Sequence, residues 1–409
     1  MEVISVNEYI TNHWSRTLRE GDVKKEGYIP LPKPFNVPSL DDRFDSLFYW
    51  DTYFLNLGLL ADGLFEQAKN NLENMAYLIE KLGFMPNSNR LIYHSQPPLF
   101  TRGVYDLYLY TQDKAVAVSF LEVMKKEHAF FMEKRSAPVG LNRYGCSLSD
   151  EELKKYYGYF SKRMNMQFDV ETERIAFTRN LFGICESGWD ATSRFHRKGK
   201  TFAVNEFAPI DLNCILYDME CKIADISSWT GDTQTQKIYG EYAKERKNLI
   251  DRYLLDVTTK LYYDYNFECK EFSSLFSAAS FFPYALGVSA DKEGARNALG
   301  KLECAHGISA CEKRKGNGWQ WDYPMMWPSN VWAAFEALKN CGLSDDAKRV
   351  AKKYIESVEE TFAKTGTLWE KYDAETGLSG SPQKEGNASP MLGWTAGVYK
   401  YLSTELQKL

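Results

Sequence analysis

The chain has 409 residues, with 50 Lys and Arg against 55 Asp and Glu, so its formal net charge is −5. Hydrophobic residues at 44% and charged residues at 26% are the balance of an ordinary globule, which excludes disordered, collagenous and membrane-spanning chains. This charge gives no global attraction for nucleic acid or anionic lipid, and neither is expected as a partner.

Helical periodicity dominates the chain. Patterns cover residues 3–18 and 50–62. Residues 64–83 then place Leu64, Ala68, Leu72, Met75, Ile79 and Leu82 three and four apart and close on Gly83. Further patterns cover 103–111, 113–134, 206–229 and 233–254. LYYDYNFE at 261–268 alternates like a short hairpin arm and is the strongest strand signal. Helical spacing returns over 292–302, 329–340, 345–363 and 389–405. Segments 84–100, 140–165 and 366–393 are too polar and aromatic to be plain connections. No Pro/Ser-rich linker divides the chain, so a single domain over 1–409 is expected. About a dozen helices in antiparallel pairs can close into a double ring, with function in the long loops at one end.

The eight cysteines are Cys146, Cys185, Cys214, Cys221, Cys269, Cys304, Cys311 and Cys341. They form no C-x-x-C pair, and no metal or other cofactor is expected. The first residues, MEVISVNEYITNHW, lack the basic and apolar regions of a signal peptide. No run of about 18 apolar residues exists to span a bilayer. Together these give a cytoplasmic location as the expectation.

Aromatic residues make up 15% of the chain, with 26 Tyr and 10 Trp. Such side chains stack on the apolar face of a pyranose while their polar edges bond hydroxyls, which points to a small sugar as ligand. Five stretches mix charge, Trp and Gly: RFDSLFYWD, PNSNRLIYHSQPP, ESGWDATSRF, GWQWDYPMMWP, and LWEKYD followed by GWTAGV. In the third, Trp189 is placed to desolvate Asp190 and raise its pKa, as a general acid requires. The same residues fit an acidic start to a helix, where Glu186 and Asp190 suit the dipole. Glu370 is the second carboxylate of interest, though alone it equally fits a solvated glutamate paired with Lys371. Glycoside hydrolysis needs two carboxyl groups, one for the leaving oxygen and one for water. Trp319 and Trp321 alternate around Gln320 beside Asp322. A buried packing strip rarely carries such polar neighbours, so Trp321 reads as a sugar platform.

These strings resemble the trehalase family of inverting glycoside hydrolases. RFDSLFYWDTYF, MPNSNRLIYHSQPPLF, ESGWDATSRF, PIDLN at 209–213, QWDYPMMWPS, and EKYDA with GWTAGV match that family's motifs. They do so in order from residue 43 to 398. The resemblance implies an all-α (α/α)6 barrel with active-site loops at one end. It implies Asp190 as general acid and Glu370 as general base. It places sugar binding on Arg43, Phe44, Trp50, Asp51, Asn87, His94, Ser95, Gln96 and Gly188. Trehalose is then the leading substrate. Three features depart from the family. His94 stands where the family has Arg, and the 140–165 segment is unmatched, with Arg163 the candidate substitute. The lid is shortened to GLSGSPQKEG, with Glu385 as its remaining carboxylate. Runner-up readings are a glucosyl- or mannosylglycerate hydrolase, or another α-glucoside hydrolase, on a related barrel, and a non-catalytic sugar-binding protein. A sugar isomerase is disfavoured, because only His94 of the five histidines lies in these motifs.

Overall fold

The computed structural model describes residues 4–40, 44–199, 201–314, 318–379, 390 and 392–409. Among them lie fifteen α-helices. They are α1 Val6–His13, α2 Tyr49–Ala61, α3 Phe65–Leu82, α4 Phe100–Thr111, α5 Lys114–Ser119, α6 Leu121–Lys134, α7 Asp150–Met164 and α8 Glu171–Ser187. There follow α9 Ile210–Trp229, α10 Thr233–Tyr253, α11 Phe282–Ala285, α12 Lys292–Leu302, α13 Pro328–Asn340, α14 Ser344–Thr365 and α15 Gly393–Lys408.

Six of these form a closed inner ring. Helix α2 packs on α4, α4 on α9, α9 on α11, α11 on α13, α13 on α15, and α15 back on α2. Helices α3, α6, α10, α12 and α14 lie against this ring from outside. Composition separates the layers. Helix α2, YWDTYFLNLGLLA, is buried along nearly its whole length because apolar residues surround it. Outer helix α14 instead buries one stripe, with Ala347, Val350, Ala351, Tyr354, Val358 and Phe362 at helical spacing. The fold is the expected (α/α)6 barrel.

Chain direction concentrates the long loops at one end. Inner helices pass to outer ones through short turns at 62–64, 112–113, 230–232, 286–291 and 341–343. Outer helices return to inner ones through long segments at 83–99, 254–281, 303–327 and 366–392, and α8 leads into α9 through another at 188–209. Two-residue strand pairs stitch these segments. Met325–Met326 runs antiparallel to Tyr372–Asp373, and Phe207–Ala208 to Tyr265–Asn266. The hairpin expected at 261–268 is divided between two pairs, Leu261–Tyr262 bonding Leu255–Asp256 instead.

Three helical readings need correction. The 3–18 pattern stops at His13, where a 3-10 turn over Trp14–Thr17 and a strand at Leu18–Arg19 take over. Segment 140–165 contains α7, capped by Ser149 with Glu152 in a capping box. Helix α8 was hidden because its second half, Phe177 to Ser187, is buried on nearly every side and shows no single apolar stripe. No described helix is long and apolar enough to cross a membrane.

Candidate active site

Helix α8 ends at Ser187, and Gly188 caps it in the left-handed region with φ 74°. The Glu186–Asp190 motif is therefore a helix exit, which removes the reading of it as an acidic helix start. Only glycine suits this position well. A Cβ there would also stand 3.2 Å from the Trp50 indole and 3.5 Å from Pro97 Cδ. Gly188→Ala is expected to destabilise the fold by about 1–2 kcal/mol through the left-handed backbone alone. It should lower activity as well, because the loop that carries Asp190 must shift away from Trp50. Denaturant melts and initial rates check both.

Glu186 is fully buried and accepts from Arg135 Nε at 2.7 Å and Nη2 at 2.8 Å. It also accepts from the backbone N–H groups of Gly145 at 2.7 Å and Ser95 at 3.0 Å. This saturated carboxylate anchors the 84–98 segment to α8. Ser95 belongs to that anchor: its hydroxyl donates to the Met85 carbonyl at 2.6 Å, and the residue is fully buried. Its neighbour Gln96 accepts from the Trp50 N–H at 3.1 Å, fixing the start of α2. Asn87 ties in through its backbone, its carbonyl accepting from the Tyr49 N–H at 2.9 Å and its N–H donating to the His94 carbonyl at 2.8 Å.

Two buried polar atoms on this segment have no hydrogen-bond partner, Asn87 Oδ1 and His94 Nδ1. Burial lowers the His94 imidazole to about 4, so the ring is neutral at neutral pH. It packs edge-on to Phe182 at 5.7 Å. Phe44 lies edge-on to Phe48 at 5.9 Å, beside the start of α2. Arg43 and Glu385 lie outside the described residues.

Asp190 sits just beyond Gly188, its side chain about 36% exposed. Arg163 from α7 comes within 3.4 Å of Asp190 Oδ2, so the unmatched segment does bring a guanidinium to this carboxylate. Glu370 follows the 366–369 stretch with its side chain about 19% exposed. The Trp394 indole donates to its carbonyl at 3.0 Å. Lys371 Nζ stands 4.0 Å from Glu370 Oε2. Asp51 shares this environment. Burial raises its carboxyl to about 7, with the charge of Glu370 and, less strongly, that of Asp190 adding to the effect. Three carboxylates from α2, the 188–209 segment and the 366–392 segment thus meet in one electrostatic neighbourhood.

The sign of the Asp51 shift fixes a pH effect. Its pKa is raised on folding, so the unfolded chain releases this proton near pH 4 and the folded chain near 7. Stability from this group is full below pH 4 and is lost as pH rises towards 7. A shift of about three units corresponds to about 4 kcal/mol. Asp51 is partly exposed, so we expect about half of that. Asp51→Asn should therefore gain about 2 kcal/mol over the wild type between pH 4.5 and 7.5, measured by urea unfolding at both.

Trp321 does not serve as a sugar platform. It is 2% exposed and lies between two rings, Trp327 at 3.9 Å and 1°, and Trp189 at 4.9 Å and 30°. Trp189 is likewise spent in this stack, with the Arg194 guanidinium 4.7 Å from its centroid. The polar neighbours that suggested a platform are staples instead. Asp322 accepts from the Ser193 N–H at 2.8 Å and hydroxyl at 2.7 Å. Gln320 donates to the Asp190 carbonyl at 2.9 Å and accepts from Lys371 Nζ at 2.9 Å. Sequence reading gave Gln320 no function, and its place between two tryptophans was the one available signal.

A family model described as trehalase matches residues 1–407. The chain is 30% identical over 416 residues to a periplasmic trehalase of Xanthomonas campestris pv. campestris (strain 8004), covering 96% of this chain and 72% of that protein. It is 31% identical over 415 residues to a periplasmic trehalase of Xanthomonas axonopodis pv. citri (strain 306), with the same coverage. Among solved structures it resembles the neutral trehalase of Saccharomyces cerevisiae. The TM-score is 0.75 at 24% identity, over 100% of this chain and 82% of that one. A mannosylglycerate hydrolase from Thermus thermophilus matches with TM-score 0.67 at 12% identity, over 97% and 100%. The two structural likenesses show the fold. The names of the curated relatives overturn the cytoplasmic location expected above, since they point to the periplasm. Free cysteines were a poor guide to compartment because a chain of this size builds its core without disulfides. The match along nearly the whole sequence and the barrel with its carboxylate-lined end agree: the chain belongs to the trehalase family, glycoside hydrolases acting on O-glycosyl bonds.

Proposed function

We propose that this protein hydrolyses trehalose to two glucose molecules with inversion. Asp190 is the general acid that protonates the leaving oxygen, and Glu370 is the general base that activates water. The observation that carries this reading is the shared field of Asp190, Glu370 and Asp51 at the loop end of the barrel. Asp51, the unsatisfied Asn87 Oδ1 and His94 Nδ1, and Gln96 offer the acceptors and donors that sugar hydroxyls need. Arg163 beside Asp190 reaches the leaving-group side. A neutral His94 cannot make the bidentate contact of a guanidinium, so the leaving sugar is held by a different set of bonds from the family's pattern. The whole of 1–409 acts as one domain in this reading.

The test is release of glucose from trehalose by the purified protein, beside maltose, sucrose and mannosylglycerate. The reading expects trehalose to be turned over fastest. Turnover of mannosylglycerate with trehalose untouched would replace it.

A further inference from the structure

Helix α7 meets Asp190 near its C-terminal end and carries a row of aromatic side chains away from it. Arg163 Nη2 stands 3.4 Å from Asp190 Oδ2. Tyr159 lies four residues and Tyr156 seven residues before Arg163. The three therefore share one side of α7 and span roughly 10 Å of it. The Tyr156 ring packs on Phe182 at 5.2 Å and on Tyr93 at 5.5 Å. Phe182 also carries the His94 imidazole, at 5.7 Å. Tyr93 thus joins the row from the 83–99 segment, next to His94. Tyr159 is 61% exposed and Tyr93 is 39% exposed, and Leu91 and Ile92 beside Tyr93 are exposed as well. Clustered apolar side chains left open at the rim of a site mark a binding surface.

We propose that Tyr93, Tyr156 and Tyr159 form a platform for a further sugar unit beyond the leaving glucose, so that the enzyme also takes α-glucosides whose leaving group is a disaccharide. This rests on the assignment of Asp190 as general acid, because the acid stands on the leaving-group side of the scissile bond. A sugar attached to the leaving glucose then continues past Arg163 onto the tyrosines. Its apolar face lies on the phenol rings, and their hydroxyls bond its own. A second copy of the chain is a poorer occupant, since a stable interface takes about 20–30 residues a side and this row offers a handful. The chemistry is that of trehalose hydrolysis. The C1–O bond breaks, Asp190 gives the departing oxygen its proton, and water supplies the hydroxyl at C1 and its proton to Glu370. Trehalose extended by one α-1,4-linked glucose therefore yields one glucose and one maltose.

The experiment measures kcat/KM for that trisaccharide and for trehalose, and reads their ratio in the wild type, Y159A, Y159F and Y93A. Both side chains are exposed, so the variants should fold. The wild type is expected to cleave the trisaccharide to glucose and maltose at least as efficiently as it cleaves trehalose. Y159A and Y93A should each lower the ratio by about tenfold, the scale of one stacked ring. Y159F keeps the ring and should hold the ratio within about threefold of the wild type. A wild type that cleaves trehalose but is more than about tenfold slower on the trisaccharide would overturn the proposal. So would a ratio unmoved in Y159A and Y93A, including the case where this face instead joins two copies and Y159A only dissociates a dimer. A wild type inert on trehalose would instead overturn the proposed function, and the two failures are separately visible.

Discussion

Asp190→Asn is expected to reduce kcat on trehalose by about 10⁴-fold, at the upper end of what a general acid contributes. The glucose that departs is a poor leaving group as an alkoxide, and an amide has no proton to give it. The fold should be unchanged, since Asn nearly preserves the shape of a side chain that is about 36% exposed. Arg163 Nη2, at 3.4 Å from Asp190 Oδ2, keeps an amide oxygen to face. The decisive control is α-glucosyl fluoride. Fluoride leaves without a proton, so Asp190→Asn should hydrolyse it at close to the wild-type rate. A variant dead on both substrates would mean that Asp190 does something other than donate a proton.

Glu370→Gln is expected to lose about the same factor on trehalose, and on α-glucosyl fluoride as well. Water needs a base whichever group departs. Gln cannot take the proton, yet it keeps the backbone bond from Trp394 Nε1 to the residue 370 carbonyl. Thermal stability should therefore move little, and trehalose binding should persist in calorimetry. Glu385→Gln is the comparison, since the shortened lid leaves that carboxylate as the rival base. If Glu385→Gln were inactive while Glu370→Gln kept wild-type rates, the base would be Glu385.

Much of this was legible in the sequence, for reasons that differ from residue to residue. Helices such as α3 and α14 carry one apolar stripe on a polar background, and their limits fall within two residues of the spacing pattern. Helix α8 carries no such stripe, because its C-terminal half is buried around most of its circumference. The motif strings brought Asp51, Asn87, Gln96 and Gly188 to one end of the barrel. Their division of labour was not legible. Ser95 reads as a sugar ligand and Glu186 as part of an acidic helix start, yet each spends its polar atoms on the loop scaffold. Trp321 looked like a platform because Gln320 and Asp322 flank it. Alternation of that kind also arises when buried indoles stack and the residues between them staple neighbouring loops. Such tertiary use of a polar side chain leaves no mark in local sequence. Compartment was misread for a similar reason, since a large barrel without disulfides looks the same in either redox environment.

The most direct test of two-carboxylate inversion is the anomeric composition of the first glucose released from trehalose, followed by proton NMR before mutarotation. Water attacking the face opposite the leaving group gives β-glucose from the half whose C1–O bond breaks. The other half departs with its own C1–O bond intact and remains α. The account predicts equal initial amounts of α- and β-glucose. Two molecules of α-glucose, with β appearing only at the rate of mutarotation, would show retention and contradict it.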